Sequence, residues 1–359
     1  MDKKLQKLIA ALNKDNIAFK SHVPLAPYTT WKIGGIADLL IEVSTKAILI
    51  DLCKLTKELN IPLTILGSGS NVLISDEGIR GVVIINKVEY LEIDAHNIKA
   101  TEKTSKLNVE ARLDQIDTDK YYSFDEIDYD ESSKPQVMVK VSSGYYLPKL
   151  INVLINNGVT GLQWFAGIPG TIGGAIYNNI HGGSHFLSEY VDSVVILDKD
   201  NNEKTLLNED LGFDYDSTLF HESKSLILEI NLNLYKGEKQ MALSTAIKWA
   251  QNKKIQPYNS AGCCFKNITA MQMKKLKLTS CSWGYIIDKI LNLKGIRSGD
   301  AVISERHAAF IENTGNAKAS DVLFLFDLIY SSAKNKLGLT PQIEVFMLGF
   351  DPAITNKYI

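Results

Sequence analysis

The stretch GIPGTIGGA, residues 167–175, contains four glycines and one proline in nine positions. Glycine loses more backbone entropy on folding than any other residue, so this composition disfavours a regular helix or strand. A close approach of the backbone to a large planar or phosphorylated ligand would compensate for that loss. The alternative is a tight, irregular crossing between two domains.

A second glycine loop, GSGSN at residues 67–71, precedes it in the chain and lies between two apolar runs. Its glycines allow positive φ, and its hydroxyl and N–H groups can face an anion. Alone, such a cluster is most often a turn between strands. It matches neither a Walker loop nor the GxGxxG loop of a dinucleotide fold. Two glycine loops in one chain nevertheless favour a cofactor site over a purely structural role.

The hydrophobic pattern around these loops changes between helical and strand periodicity, which predicts an α+β fold. The spacing of Leu5, Leu8 and Leu12 predicts an amphipathic N-terminal helix. Ser44 is the expected N-cap of a helix over 44–60. Further helices are predicted at 147–156, 239–253 and 319–336, and strands at 36–43, on both sides of 67–71, and at 81–86, 137–144, 191–198, 225–235 and 344–349.

The composition excludes several classes of protein. Hydrophobic residues make up 45% of the 359 residues and charged residues 22%, which is typical of a globular chain of roughly two or three domains. The 39 Lys and Arg residues against 41 Asp and Glu residues leave no basic excess, so we expect no nucleic-acid partner. Neither a membrane span nor a signal peptide is expected, because no apolar run is long enough. The cysteines lack zinc-like spacing, so we expect no metal site and a reducing, cytoplasmic location: Cys53, Cys263, Cys264 and Cys281. A monomer is also expected.

Between residues 101 and 135 the sequence becomes strongly acidic, with few opposing charges. Such a block is usually a solvated loop or a flexible insertion, and we predict an insertion over about 102–135. A metal site is the alternative, but the spacing lacks the glycine and oxygen-ligand periodicity of a calcium loop. The acidic residues of the block are Glu110, Asp114, Asp117, Asp119, Asp125, Glu126, Asp128, Asp130 and Glu131.

Several motifs together resemble one known family. These motifs are GSGSNVLI at 67–74, GIRG at 78–81, GIPGTIGGA at 167–175, the run at 295–313 that ends in HAAFIEN, and PQIEV at 341–345. They are similar to UDP-N-acetylenolpyruvoylglucosamine reductase, the FAD flavoprotein of peptidoglycan precursor synthesis, from about Tyr28 to Gly349. The two glycine loops are shared with FAD proteins of the vanillyl-alcohol-oxidase type, whereas the C-terminal motifs are typical of the reductase. The short region at 226–262 resembles the family's compact second type.

The resemblance implies a two-subdomain FAD-binding fold of the vanillyl-alcohol-oxidase (PCMH) type and a C-terminal α/β substrate domain. The implied division is an N-terminal helical segment at 1–24, the FAD-binding domain at 25–235 and the substrate-binding domain at 236–350. The implied reaction is reduction of the enolpyruvyl group of UDP-N-acetylglucosamine-enolpyruvate to UDP-N-acetylmuramate. FAD is the implied cofactor, NADPH the hydride donor and a UDP-sugar the substrate. The residues implied to bind FAD are Gly67, Ser68, Gly69, Ser70, Asn71, Ile168, Pro169, Gly170, Thr171, Ile172, Gly173, Gly174 and Ala175.

Two further residues are implied to be catalytic. In the stretch SAGCCFKN, Cys263 stands where the family has a proton-donating serine, and a thiol is the stronger acid. The alternative is a small buried cysteine behind a turn, which is our expectation for Cys264. Glu344 corresponds to the family's carboxylate near the enolpyruvyl group, although an exposed charge on an edge strand would look the same. Tyr215 and Lys266 are the implied substrate-binding residues.

The sequence departs from the family at Asp216, which stands where the family has an arginine that helps to hold the substrate's carboxylate. An anion there would repel the carboxylate of the substrate and would place a second negative charge near Glu344. Either another cation replaces the arginine, with Lys266, Arg306 and Lys140 as candidates, or the substrate differs, or activity is lost. A paralogous flavoprotein with a changed substrate or oxidase activity, and a non-catalytic FAD-binding scaffold, are therefore the alternative functions. The stretch NNIHGG at 178–183 also differs from the family's usual turn.

Two other motifs have a structural and a functional interpretation. His307 lies between charged and apolar neighbours, a position more typical of a hydrogen-bonded structural residue than of a catalytic one. The pair Trp164 and Phe165 could cover a flavin ring, but we expect it to pack in the core.

Overall fold

The computed structural model describes residues 3–94, 128–223, 225–253 and 256–358. The part of the predicted insertion that precedes residue 128 therefore lies outside the described residues. The described residues form an α+β fold with three sheets of three or more strands, as predicted. No helix in these ranges is long and apolar enough to cross a membrane.

The N-terminal part is a four-stranded sheet with helices packed on it. Its elements are α1 (Lys3–Lys14), β1 (Lys20–Pro24), a 3₁₀ turn (Ala26–Tyr28), β2 (Ile36–Val43), α2 (Lys46–Glu58), β3 (Leu63–Leu66), β4 (Val72–Ile74) and β5 (Ile79–Asn86). The strand order is β1-β2-β5-β3, with β1 antiparallel to β2 and the other neighbours parallel. Leu5, Leu8 and Leu12 lie on one face of α1 and are buried in a core shared with α2, β2 and β5, which confirms the predicted amphipathic helix.

The middle part is an antiparallel sheet covered by helices. Its elements are β6 (Leu91–Asp94), β7 (Gln136–Ser142), α3 (Leu147–Asn156), β8 (Val159–Thr160), a 3₁₀ turn (Gln163–Phe165), α4 (Ile172–Tyr177), β9 (His181–Gly182), β10 (His185–Phe186), a 3₁₀ turn (Leu187–Tyr190), β11 (Val191–Leu197), β12 (Glu203–Leu207), 3₁₀ turns (Asn208–Leu211 and Leu219–His221), β13 (Leu226–Lys236) and α5 (Lys239–Lys253). The main sheet has the order β12-β11-β13-β7-β6, and β8 pairs with the end of β13. Val137, Val139 and Val141 alternate along β7, so one face of that strand enters the core.

The C-terminal part is built around one long helix. Its elements are α6 (Ala270–Leu276), α7 (Trp283–Tyr285) continued by a π-helical turn (Ile286–Ile290), β14 (Arg297–Ser298), β15 (Ala301–Ile303), β16 (Ile311–Asn313), α8 (Ala319–Leu337), β17 (Phe346–Leu348) and α9 (Pro352–Thr355). Val322, Phe326, Ile329 and Ala333 recur at helical spacing on α8 and are fully buried. Their core also contains Trp31, which contributes a side chain from the N-terminal part.

The C-terminal part returns to the N-terminal part through a parallel strand pair. β17 pairs with β4, so that Phe346 lies opposite Val72, directly after the first glycine loop. The chain preceding β17 also hydrogen-bonds to a second segment: Glu344 N donates to Cys264 O over 2.9 Å, and Lys266 N donates to Gln342 O over 2.9 Å. These two pairings bring residues that are far apart in the chain to one side of the molecule.

Two local expectations need correction. The side chain that caps α2 is Thr45, which accepts a hydrogen bond from Ile48 N, and not the neighbouring Ser44. The end of the acidic block is not uniformly solvated, because Glu131 is only 6% exposed. Its carboxylate accepts hydrogen bonds from Thr160 Oγ1 over 2.7 Å and from Gln163 Nε2 over 2.8 Å, which compensate for the loss of water.

Candidate active site

A cavity of about 1520 Å³ lies where the three parts of the molecule meet. Pockets for single drug-sized ligands usually have about 300–1,000 Å³, so this cavity has room for a large ligand and a second one beside it. Both glycine loops, at 67–71 and 167–175, line it. Ile172 is the exception among the predicted cofactor-binding residues, since its side chain is fully buried in the core of the middle part and does not line the cavity.

The loops bring bare backbone to the cavity wall. Gly69 has φ +61°, and a Cβ at this position would lie 2.3 Å from Tyr28 O, so only glycine fits. At Gly170 an added Cβ would meet only Ser70 Oγ, at 3.3 Å, which means that the missing side chain leaves open space in the cavity. Thr171 caps α4 by accepting a hydrogen bond from Gly174 N over 3.3 Å. The two loops therefore form a cradle that would hold the flat and phosphorylated parts of a dinucleotide such as FAD.

The predicted catalytic residues lie on this same cavity. Cys263 and Glu344 both line it, because the pairing of residues 264–266 with 342–344 places them side by side. Glu344 is also held at the first glycine loop, where Asn71 Nδ2 donates to Glu344 O over 3.4 Å. Cys264 is fully buried, as predicted, and burial raises the pKa of its thiol to about 12.

Asp216 lies in a tight turn at the cavity wall with its carboxyl group turned inward. The residue has φ +45° and is only 8% exposed. Its Oδ2 has no hydrogen-bond partner among the described residues. Burial, and then the charge of Asp216, raise the pKa of Glu344 well above its usual range, and burial likewise raises the pKa of Asp216. Two carboxyl groups placed in this way do not both ionise near neutral pH.

The cation whose charge acts on both carboxyl groups is Lys266, although it is not among the residues that line the cavity. Its Nζ donates to the backbone oxygen of Asp216 over 3.2 Å, and its charge lowers the pKa of both carboxyl groups against the effect of burial. Of the other predicted substitutes for the arginine, Arg306 lines the cavity. Lys140 is instead paired with Glu229 across β7 and β13, with 3.2 Å between Nζ and Oε1, and is not among the lining residues.

The wall beside Asp216 is made of stacked rings. Tyr215 lines the cavity and stacks on His181 with 5.4 Å between ring centroids and 27° between planes. Burial, and then the charge of Lys253, lower the pKa of His181 to about 4, so this ring is neutral. His307 also lines the cavity, and its Nδ1 accepts a hydrogen bond from Ala309 N over 3.3 Å.

The sequence analysis missed Lys253, which reaches the cavity from the last turn of α5. Burial lowers the pKa of its ammonium group to about 8, while the nearby Cys263 acts in the opposite direction. In the sequence Lys253 resembles any lysine that ends a helix, a common and favourable position on the surface, so no signal distinguished it. Trp164 and Phe165 are buried in the core of the middle part, as expected.

Comparisons with known proteins agree along the chain. Residues 254–348 match the family model for the C-terminal domain of UDP-N-acetylenolpyruvoylglucosamine reductase, and residues 116–205 match that of an FAD binding domain. UDP-N-acetylenolpyruvoylglucosamine reductase 1 of Bacillus thuringiensis is 32% identical over 91% of this chain and 93% of its own. The Bacillus subtilis reductase is 30% identical over 96% of this chain and 99% of its own. The crystal structure of the Thermus caldophilus reductase has a TM-score of 0.65 and 26% identity over 92% of this chain and 98% of its own.

Proposed function

The chain belongs to the UDP-N-acetylenolpyruvoylglucosamine reductase family, and we propose on this basis that it is an FAD- and NADPH-dependent enzyme of peptidoglycan precursor synthesis. It reduces the enolpyruvyl group of UDP-N-acetylglucosamine-enolpyruvate to give UDP-N-acetylmuramate. The observation that carries the assignment is the meeting of both glycine loops with Cys263 and Glu344 on one cavity of about 1520 Å³.

The glycine cradle is the proposed site of FAD. An FAD bound there would supply the hydride-transfer chemistry between NADPH and the substrate. The residues proposed to hold it are those of 67–71 and 167–175, except for Ile172, whose side chain belongs to the core. They would bring backbone N–H groups and hydroxyls to the phosphates of the cofactor.

Cys263 is the proposed proton donor for the carbon next to the one that receives hydride. A thiol has an ordinary pKa of ~8.5 and is protonated at neutral pH, so it can supply this proton directly. The thiolate that remains lies near the ammonium group of Lys253, whose charge would stabilise it. Cys264 is unsuited to the role because burial holds its pKa near 12.

Lys266 is the proposed replacement for the arginine of the family. It is bonded to the backbone oxygen of Asp216 and its charge acts on both Asp216 and Glu344, so a lysine at this place can attract the carboxylate of the substrate. We propose that Asp216 and Glu344 share a proton, which leaves about one negative charge for Lys266 to balance. Tyr215, on the adjacent wall, is the second proposed substrate contact.

We also propose the division of the chain at about residue 236 into an FAD-binding and a substrate-binding domain, and a cytoplasmic monomer. A core that contains residues from Ala261 to Tyr358 supports a separate C-terminal domain. Helix α5 packs with Ala242, Ala246 and Trp249 in the core of the middle part, so it lies at the border of the two domains. The four cysteines carry free thiols, which fits a reducing compartment.

Anaerobic visible absorption spectroscopy tests the proposal. The purified protein should show a flavin spectrum that bleaches when NADPH is added and returns when UDP-N-acetylglucosamine-enolpyruvate follows. UDP-N-acetylglucosamine is the matched control, because it has the same nucleotide sugar without the vinyl group and should not reoxidise the flavin. A flavin that NADPH reduces but that ignores the enolpyruvyl substrate would refute the substrate. A protein without flavin would refute the oxidoreductase itself.

A further inference from the structure

The end of the acidic block contacts a short hairpin that borders the cavity. The carboxylate of Asp128 accepts a hydrogen bond from Ser184 Oγ over 2.6 Å through Oδ2, and its Oδ1 lies 2.8 Å from Nε2 of His185. Both partners belong to the turn and second strand of the hairpin β9–β10, which spans His181–Phe186. The segment that leaves the acidic block is thus bonded to the part of the rim where the sequence departs from its family.

This segment is itself fixed to the body of the protein. Glu131 is buried and bonded to Thr160 and Gln163. The ring of Tyr129 lies on Trp164, with 4.8 Å between centroids, and His185 stacks on Trp164 with 4.4 Å between centroids and 12° between planes. Rings, hydrogen bonds and a buried carboxylate therefore hold the segment at 128–131 and the hairpin in one arrangement around Trp164.

The contact between Asp128 and His185 is a charged one. Burial of the imidazole ring opposes its charge, but the carboxylates of Asp128 and Glu189 outweigh this effect and raise the pKa of His185 to about 9. Glu189 Oε2 lies 3.5 Å from Nδ1, and Tyr190 Oη lies 3.0 Å from the same atom. Asp128, Glu189, Tyr190 and Trp164 are the groups that surround the imidazole ring. With a pKa of about 9, His185 is an imidazolium at neutral pH.

The end of the hairpin at His181 and Phe186 reaches the cavity wall that contains Tyr215 and Asp216. In the hairpin register Phe186 lies across from His181, and His181 stacks on Tyr215, the residue before Asp216. The hairpin backbone is also pressed on Trp164, because a Cβ at Gly182 would lie 2.0 Å from Trp164 O. The hairpin register, its contact with Trp164 and the stack of His181 on Tyr215 thus connect His185 to the cavity wall through packed groups.

We propose that Asp128 and His185 form an ion-pair anchor through which the end of the acidic block positions His181 and Tyr215 against the substrate. His185 and Asp128 are positioning residues, since neither lines the cavity among the described residues. The anchor affects substrate binding more than the chemical step, because it acts on a wall and leaves Cys263 in place. The identity of the substrate in this inference rests on the proposed function, whereas the contacts of the anchor do not.

Steady-state kinetics of Asp128→Asn and His185→Gln test the anchor. We expect the KM for the UDP-sugar substrate to rise about fivefold, the order of a network coupling, with kcat and flavin content within about twofold. Asp130→Asn is the matched control, because its carboxylate is bonded to Ser132 within its own segment and its loss should leave KM unchanged. The KM ratio of Asp128→Asn to wild type should fall towards one above pH 9, where the wild-type anchor loses its charge.

A second measurement does not depend on turnover. In protein with ¹³C-labelled histidine, the ring signal that is absent from His185→Gln belongs to His185. Its titration should have its midpoint near pH 9 in the wild type and at a lower pH in Asp128→Asn. Equal midpoints, or an unchanged KM in both variants of an active enzyme, would overturn the anchor. A wild type that does not turn over the substrate would instead refute the proposed function, and the histidine titration would still decide whether the anchor exists.

Discussion

Replacement of Asp216 by asparagine should stabilise the protein at alkaline pH and leave its stability almost unchanged at acid pH. Asp216 is 8% exposed, and its Oδ2 has no hydrogen-bond partner among the described residues. Burial raises the pKa of this carboxyl group, and Lys266 offsets only part of the effect. The pKa of Asp216 is higher in the folded protein than its unfolded value of about 3.9. The charge of its carboxylate therefore destabilises the fold increasingly as the pH rises from the unfolded to the folded pKa. The full penalty is present only above the folded pKa.

The size of the effect follows from the environment of the carboxylate. A buried unbonded charge costs more than the about 1–3 kcal/mol of a neutral polar atom, and Asp216→Asn removes this excess together with the repulsion from Glu344. Lys266 opposes both terms, so we expect a gain of about 2 kcal/mol for Asp216→Asn at pH 8.5. For a chain of this size the gain corresponds to a rise in Tm of roughly 3 °C. Asparagine has nearly the same shape and tolerates the φ of +45° at this turn.

Thermal unfolding followed by circular dichroism at pH 4.5 and pH 8.5 measures the difference. Asp214→Asn is the matched control, because Asp214 is on the same turn, is exposed and keeps an oxygen for the hydrogen bond from Tyr215 N. The control should change the free energy of unfolding by less than about 0.5 kcal/mol at both pH values. An equal change in Tm at the two pH values, or a loss of stability at pH 8.5, would show that Asp216 does not hold a buried, unpaired charge.

Three further predictions concern the site and its surroundings. Cys263→Ala should lower turnover by about 10²-fold or more and leave flavin reduction by NADPH intact in stopped-flow absorbance, and an unchanged turnover would contradict the proton-donor role. Gly69→Ala should lower the ratio of flavin to protein absorbance and the Tm, because its Cβ would lie 2.3 Å from a backbone oxygen. Gly338→Ala is its control, with positive φ but nothing within 4 Å, and an equal flavin loss in both variants would refute the steric argument. Glu131→Gln should destabilise the fold by about 1–2 kcal/mol in urea titrations, since one of its two oxygens becomes a donor where an acceptor is needed, and equal stability would contradict its buried role.

Much of the fold could be predicted because its elements have a strong local pattern. The predicted helix at 239–253 has the observed bounds Lys239–Lys253, and α3 and β7 begin and end within two residues of their predictions. The pairing of β17 with β4 could not be predicted from one sequence. Three-residue strands carry almost no periodic signal, and their partner is chosen by contacts that depend on the whole fold.

The site was predictable where a motif specifies it and unpredictable where the chain differs from its family. The two glycine loops, Cys263 and Glu344 all lie on the cavity. The surroundings of Asp216 needed the structure, because the position of Lys266 beside it depends on the pairing of 264–266 with 342–344. The anchor at Asp128 was hidden for another reason: in the sequence it is one carboxylate among many in an acidic block, and only the fold shows that it is bonded to Ser184 and His185.

The parallel pairing of β4 with β17 has a consequence for how the protein is made. Asn71 and Glu344, which meet beside this pair, are separated by 273 residues along the chain. At a synthesis rate of about 5–20 residues per second, the first glycine loop leaves the ribosome roughly 15 to 55 seconds before its partner strand. During this time β4 is an unpaired edge, and the cradle for the cofactor is open on one side. A nascent chain of this enzyme can therefore complete this side of the cavity only after β17 has been synthesised and has paired with β4.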